Sequence, residues 1–245
     1  MKKTILLFVL LFVSANSFAH FMWVETNPTG KLNKKQEVKV FFGEYTYGLQ
    51  EKVAEEAFGK MKNFEVWVVS PSGEKTKLQM QPGDLFYSGF FEPKAKGTYT
   101  VVLNNNNIDV IDYTQYDFGI FKTHYHSTAK VEVGGTASAS ASANPNGLSV
   151  IDITKKVHAD KDETTFKVLY KGQPLPEAEV TVFISDQWSK KVYTDKDGII
   201  KFSLPWGAKY IMEVTKKEEV PGNFNGKNYQ FVWHCATYSI AADKK

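Results

Sequence analysis

Two histidines separated by one residue, His124 and His126, form the sharpest chemical feature of the sequence. Residues 118–126 have the alternation of a β-strand, in which side chains two positions apart share a face and their Cα atoms lie about 6–7 Å apart. Two neutral imidazoles at that distance can share a transition-metal ion. The pattern is weak alone, because two solvated histidines near a strand end give the same spacing.

A third histidine, His20, follows directly after a possible signal-peptide cleavage point. If an export signal is removed after Ala19, the mature chain begins with His20 and offers its α-amine and its imidazole to one ion. Together with His124 and His126, four nitrogen ligands become available, a set that suits Ni²⁺ or Cu²⁺, with Co²⁺ as a further alternative. The sequence therefore predicts a metal site formed by these three histidines.

The two other histidines and the single cysteine are not expected to bind a metal ion. We expect His158 to be solvated in a polar turn, His234 to be structural, and Cys235 to be a small buried residue. Adjacent residues of a strand face opposite ways, so His234 and Cys235 cannot hold one ion together without a β-bulge. One cysteine excludes an internal disulfide and a cysteine-based zinc cluster.

The first 19 residues read as a secretory signal peptide. An apolar run at residues 5–13 follows a basic start, and the small residues Ser17 and Ala19 precede the expected cleavage point. A cut after Ala15 is a competing possibility. The run is too short to span a bilayer, so the mature chain is expected to be periplasmic and not inserted in the membrane.

Composition narrows the function classes. All 30 basic residues are lysines, and the formal net charge of the 245-residue chain is +3, without a basic block. Nucleic-acid binding is therefore not expected, because arginine is the usual reader of phosphate and guanine. The sequence has no serine-hydrolase elbow, metalloprotease helix, phosphate loop or dinucleotide fingerprint, so we expect a protein that binds and is not an enzyme.

Short alternating runs between turn signals predict an all-β fold. They lie at residues 37–42, 64–69, 99–103, 165–170, 178–184, 199–204, 210–215 and 231–240. Only residues 49–61, rich in Glu, Lys and Ala, predict a helix, which must be short. Short connections favour antiparallel β-sandwiches.

The Gly/Ala/Ser-rich segment at residues 134–147 predicts a linker or loop between two such domains. We expect an N-terminal β-sandwich over residues 20–133, which carries the candidate metal site, and a C-terminal β-sandwich over residues 148–242.

The C-terminal half resembles a known module. Gly172-Gln173-Pro174-Leu175, Thr194-Asp195 followed by Gly198, and Phe202 followed by Leu204-Pro205 are similar to the pattern of transthyretin-like, carboxypeptidase-regulatory β-sandwiches. These motifs encode turns and core positions, so the resemblance implies a fold and no function.

A second resemblance covers most of the mature chain. Ala19-His20-Phe21-Met22-Trp23-Val24-Glu25 and the closing Trp233-His234-Cys235-Ala236-Thr237 resemble a bacterial periplasmic family described as a domain of unknown function. That family includes the CbiK or NikK type of component of nickel and cobalt energy-coupling-factor transporters. The resemblance implies a protein that supplies Ni²⁺ or Co²⁺ to a membrane transporter component. By similarity to NikM-type components, it implies ligand roles for His20, His124 and His126.

This chain departs from that pattern because it would begin with His and not with Met-His. Two other readings stay open at this point. The many aromatic residues could form a platform for haem or a glycan in a secreted β-sandwich binding module. Less favoured is a copper histidine-brace oxidase, in which an amino-terminal histidine and a second histidine hold copper.

Overall fold

The computed structural model describes residues 20–135 and 137–244, so the expected signal peptide lies outside the described residues. With 54% of residues in strands and 4% in helices, the prediction of an all-β fold is confirmed. The strands are β1 Phe21–Thr26, β2 Thr29–Gly30, β3 Gln36–Glu44, β4 Leu49–Gln50, β5 Glu65–Val69, β6 Lys75–Lys77, β7 Gln81–Pro82, β8 Tyr87–Phe91, β9 Gly97–Asn105, β10 Ile111–Tyr113, β11 Gly119–Val133, β12 Leu148–Asp152, β13 Glu163–Tyr170, β14 Gln173–Pro174, β15 Glu179–Ile184, β16 Trp188–Tyr193, β17 Ile199–Ser203, β18 Lys209–Glu218, β19 Gly222–Phe224, β20 Lys227–Tyr229 and β21 Phe231–Ala241.

Helical structure in the described part of the chain is limited to α1, Glu56–Gly59, and two 3-10 turns at Tyr45–Tyr47 and Thr114–Tyr116. The helix falls inside the predicted residues 49–61, which confirms that at most one short helix is present, but it spans a single turn. Residues 49 and 50 form β4 on the last two residues of β3 instead, because pairing there satisfies their backbone groups. No helix in residues 20–135 or 137–244 is long and apolar enough to cross a membrane.

A ten-stranded sheet, here called the central sheet, organises the molecule. Its order is β16-β15-β18-β21-β11-β9-β5-β6, with β2 and β10 also pairing with β11. Most pairs are antiparallel, but β11 and β21 run parallel from Phe121 opposite Phe231 to Ala129 opposite Ser239. Strands from before and after residues 134–147 therefore share one sheet, while the division into two domains stays a prediction.

Two smaller sheets cover the central sheet on opposite faces. The N-terminal sheet (β1, β3, β4, β7 and β8) packs on the inner face, where Trp23, Val101 and Tyr125 belong to one core cluster. The C-terminal sheet (β12, β13, β14 and β17) packs on the outer face, where Phe166 and Tyr238 belong to a second cluster. The result is a sandwich-like arrangement of mainly antiparallel sheets, as the alternation of the sequence predicts.

In the C-terminal half, the residues similar to the transthyretin-like pattern form turns. In the turn before β17, Asp195 Oδ1 accepts hydrogen bonds from the backbone N–H groups of Asp197 and Ile199 at 2.9 and 2.8 Å. Gly198 has φ +73°, and a Cβ there would lie 2.5 Å from the carbonyl oxygen of Val168. Only glycine fits that combination of backbone angle and close approach.

Residues 138–141 of the Gly/Ala/Ser-rich segment pack on the outer face of β9. The backbone N–H groups of Ser138 and Ala141 donate to the hydroxyls of Thr98 and Thr100, both at 2.8 Å. Ser140 is buried, and it exchanges hydrogen bonds with the backbone of Asp152. Small side chains let this segment lie close to the sheet.

A buried carboxylate, that of Asp152, joins the elements of this region. Its side chain accepts hydrogen bonds from Lys130 Nζ at 2.8 Å, His158 Nε2 at 2.7 Å, Tyr238 Oη at 3.3 Å and the Thr154 backbone N–H at 2.8 Å. Burial alone raises the pKa of Asp152, but hydrogen bonds and charge from His158 and Lys130 outweigh it, and the pKa is lowered. The carboxylate stays ionised because the favourable contacts with His158 and Lys130 outweigh both burial and the nearby carboxylate of Glu132.

We predict that Asp152→Asn destabilises the fold by about 3–5 kcal/mol, because it leaves the Lys130 ammonium buried without its nearest counter-ion. Urea unfolding measures the free energy. Asp197→Asn, in an exposed turn, is the matched control and should change the free energy of unfolding by no more than about 0.5 kcal/mol. Equal effects of the two substitutions would contradict a central role for Asp152.

Candidate metal centre

Strand β1, which follows His20, lies at the edge of the N-terminal sheet and is held against the central sheet by hydroxyl groups. Ser127 Oγ accepts a hydrogen bond from the Val24 N–H at 3.0 Å, and Thr237 Oγ1 donates to the carbonyl of Met22 at 2.9 Å. Ser239 Oγ donates to the carbonyl of Val24. Side chains of β11 and β21 thus satisfy the free edge of β1 and fix where the chain starts.

The apolar residues at positions 21–24, within the amino-terminal motif that ends at Glu25, lie in the core. Trp23 is fully buried, stacks on Phe41 at a centroid distance of 5.2 Å and meets Tyr45 edge-on at 5.4 Å. Phe21 and Met22 are also buried. Packing accounts for these side chains, and Glu25 accepts the Trp23 indole N–H at 3.1 Å and pairs with Lys209 at 2.5 Å. The chemistry of His20 is not accounted for in this way.

His20 is held at two points. Its Nε2 lies 2.8 Å from Glu51 Oε1, and the Tyr125 hydroxyl donates to its carbonyl oxygen at 2.7 Å. Its ring lies 5.5 Å from that of Phe42, whose own carbonyl accepts the backbone N–H of Glu51. The His20 side chain is 25% exposed and that of Glu51 is 16% exposed, so the pair lies at the surface but is partly shielded from water.

The contact with Glu51 decides which ring nitrogen of His20 can bind a ligand. An ionised carboxylate can only accept hydrogen bonds, so His20 Nε2 carries the proton. Nδ1 then holds the lone pair of the neutral ring. Carboxylates that bond the second nitrogen of a histidine in this way are the usual partners of metal-binding imidazoles.

His126 lies on the outer face of the central sheet, away from His20. Its side chain is 2% exposed, Nδ1 lies 2.7 Å from Asn104 Oδ1, and Nε2 has no hydrogen-bond partner. Burial lowers the pKa of His126 to about 4. The ring is therefore neutral at ordinary pH, with Nε2 enclosed by protein.

His124 is partly exposed on the same outer face, opposite His234 on β21. The two rings meet edge to face at a centroid distance of 5.1 Å, and His234 Nε2 lies 3.0 Å from Glu218 Oε2. Burial, with help from the neighbouring His234 and Lys122, lowers the pKa of His124 to about 4. His234 is buried and hydrogen-bonded, in keeping with the structural role expected for it.

The structure brings His124 and His126 to one face of β11, as their spacing predicts, but it does not bring His20 to them. Tyr125, between the two, points to the inner face and contacts His20. Within residues 20–135 and 137–244, no group of three or more histidine, cysteine, aspartate or glutamate side chains is arranged to hold a metal ion.

Sequence reasoning missed two partners and misjudged one histidine. Glu51 and Tyr125 lie 31 and 105 residues from His20 and carry no local signal. The expectation that His158 is solvated is wrong: it is 5% exposed, bonds Asp152 and stacks on Phe166. Its polar sequence neighbours concealed this burial. Cys235 is buried, as expected.

We predict that His126 makes the fold sensitive to acid. The unfolded chain binds a proton at this ring near pH 6.5 and the folded chain only near pH 4, so stability falls as pH drops through that window, by on the order of 3 kcal/mol. Urea unfolding at several pH values should show a shallower slope for His126→Gln than for the parent protein. Identical slopes would show that this ring does not titrate as its burial requires.

Comparisons with known proteins give a family and remote structural likenesses. Among curated proteins no match is found. A mutant of Salmonella alpha-2-macroglobulin is 12% identical over 91% of this chain, with a TM-score of 0.31, and the chain spans 15% of its length. A two-domain fibronectin type-III segment of chicken tenascin is 17% identical over 86% of this chain and 95% of its own, with a TM-score of 0.23.

The family match is the informative one. The model of the DUF4198 family, a domain of unknown function, matches residues 17–218. These residues begin just before His20 and end with β18. Because this match covers well over half of the sequence, the protein belongs to the DUF4198 family.

Proposed function

We propose that this protein captures a divalent transition-metal ion, Ni²⁺, Co²⁺ or Cu²⁺, in the periplasm and supplies it to an uptake transporter of the energy-coupling-factor type. The observation that carries the proposal is the 2.8 Å contact between His20 Nε2 and Glu51. It leaves His20 Nδ1 as the nitrogen with a lone pair, and that nitrogen forms a six-membered chelate ring with an α-amine on the same residue.

The chelate requires that the mature chain begins at His20. The residues Ser17 and Ala19 support cleavage at that point, because small residues precede signal-peptidase sites. The amine and Nδ1 of His20 are then the first two ligands, and both are nitrogen donors of the kind that Ni²⁺ and Cu²⁺ favour. Water or a group of the transporter completes the coordination and lets the ion leave.

Glu51 and Tyr125 act as positioning residues in this proposal. Glu51 fixes the ring and Tyr125 fixes the carbonyl, so both ends of His20 are oriented before the ion arrives. Burial raises the pKa of Tyr125 well above its ordinary value, so its hydroxyl stays protonated and donates to the backbone. A preorganised chelate loses less entropy when the ion binds.

The transport role rests on resemblance. The amino-terminal motif from Ala19 to Glu25 resembles that of periplasmic proteins found with nickel and cobalt transporters. The family match to residues 17–218 supports a shared architecture and carries no function of its own.

We predict that processed protein beginning at His20 binds one Ni²⁺ or Cu²⁺ ion per chain in calorimetry. His20→Ala should weaken binding by more than the roughly 10–100-fold typical of a change in an outer-shell residue, because a ligand itself is lost. One glycine added before His20 should have a similar effect, since it moves the free amine off the chelate ring.

His124→Gln and His126→Gln are the matched controls, since both residues lie on the opposite face of β11 from Tyr125 and its His20 contact. Unchanged affinity in these controls is expected. Equal weakening in the His124 and His126 variants would instead support a single site formed by all three histidines. Absence of binding by the processed parent protein would refute the proposal.

The role of Glu51 has its own test. Glu51→Gln keeps the side-chain size but replaces the carboxylate that accepts the Nε2 proton, so we expect metal affinity to fall about 10–100-fold while the fold stays intact. Calorimetry gives the affinity and urea unfolding the stability. Glu55→Gln, at an exposed site near α1, should leave affinity unchanged. A Glu51 variant that binds as well as the parent would remove this residue from the centre.

A further inference from the structure

A polar groove of about 580 Å³ lies beside the β5–β6 edge of the central sheet. Asn63, Phe64 and Glu65 at the start of β5 form one wall, with Lys77 of β6 beside them. Asn107, which follows β9, and the tip of the β19–β20 hairpin complete the lining. A volume in this range holds a ligand of one to a few rings.

The hairpin tip is fixed by contacts to the sheet. Lys122 Nζ lies 3.8 Å from the centroid of the Phe224 ring, and Asn225 Nδ2 donates to Asp109 Oδ1 at 3.2 Å. Lys122 is itself buried and donates to the backbone carbonyl of Ile108 at 2.6 Å. Lys122 thus holds the Phe224 ring in place, and Phe224 is only partly buried.

The charges in the groove cancel. Glu65 Oε1 and Lys77 Nζ form an ion pair at 2.5 Å, and this hydrogen bond lowers the pKa of Glu65. The remaining polar lining consists of the neutral amides of Asn63, Asn107 and Asn225. Such a lining does not favour an anion or a cation, because neither finds an unpaired counter-charge.

The amides and rings together define a ligand class. Each side-chain amide both donates and accepts hydrogen bonds, which matches hydroxyl groups that do the same. The ring of Phe64 packs on Tyr87 and the inner core, whereas the partly buried ring of Phe224 offers apolar surface for the C–H face of a sugar ring. Asn107 Nδ2 donates to the backbone carbonyl of Asn63 at 3.4 Å and Asn225 Nδ2 donates to Asp109, so their amide oxygens and second N–H groups remain for a ligand. An apolar ligand would give these remaining groups no hydrogen bonds.

We propose that this groove binds a neutral saccharide of one or two rings, with the three asparagine amides on its hydroxyls and Phe224 under one ring. The site is separate from His20. Val66 and Val68 of β5 lie in the inner core, so alternation places Glu65 on the outer face, whereas His20 contacts Tyr125 on the inner face.

Nuclear magnetic resonance tests this proposal directly. Cellobiose, maltose and N,N′-diacetylchitobiose are titrated separately into the ¹⁵N-labelled processed protein, each to about 20 mM, a concentration that detects millimolar dissociation constants. Inorganic phosphate is the charged probe. At least one disaccharide should shift the side-chain amide signals of Asn63, Asn107 and Asn225, and phosphate should not.

Variants then separate the groove from other surfaces. Phe224→Ala and Asn107→Ala should each weaken saccharide binding about tenfold, since one stacking surface or one amide is removed. Two variants are used because the loss of Phe224 also removes a contact to Lys122 and can loosen the hairpin. Tyr116→Ala is the matched control, because Tyr116 is 67% exposed on a different aromatic surface.

The proposal is overturned if no disaccharide shifts the groove amides, if only phosphate does, or if Tyr116→Ala abolishes binding while Asn107→Ala leaves it unchanged. Metal affinity is measured on the same variants and should stay at the parent value, so a failure here does not bear on the metal proposal.

Discussion

The alternation of side chains along β11 decides which residues form the inner core and which form the outer polar network. This strand has covered residues on both faces, pairs with β9 on one side and with β21 on the other, and runs through 15 residues. Odd positions such as Tyr125 join the inner core, and even positions such as His126 and Lys130 point to the outer face. A shift of register by one residue would exchange the two sets, and with them the core and the polar network.

The position of His20 follows from that constraint. Ser127 on β11, with Thr237 and Ser239 on β21, presents hydroxyls to the free edge of β1, and Tyr125 holds the carbonyl at its start. An edge strand normally leaves a row of unpaired backbone groups. Here side chains of a second sheet satisfy part of that row, which fixes the first residue of the expected mature chain beside Glu51. The same alternation places His124 and His126 on the other face of β11, so this strand separates them from His20.

Much of the fold could be predicted because it is encoded locally. The alternation of residues 99–103 and 231–240 marks β9 and β21, and turn residues such as Gly198 mark the connections. The spacing of His124 and His126 correctly predicted that both side chains lie on one face of their strand. What alternation cannot supply is which strands meet. The parallel pairing of β11 with β21 joins residues about a hundred positions apart. His20 meets Glu51 because β1 and β4 both pair with β3, and it meets Tyr125 because β1 packs on β11. The burial of His158 on Asp152 depends in the same way on distant packing.

A metal ion held by the amine and Nδ1 of His20 can be located by anomalous X-ray scattering. Crystals of processed protein grown with Ni²⁺, measured at the nickel absorption edge, should show one strong anomalous peak within about 2.0–2.2 Å of both nitrogens, with Glu51 still on Nε2. A peak at His124 or His126 with none at His20 would rule out the proposed chelate at His20.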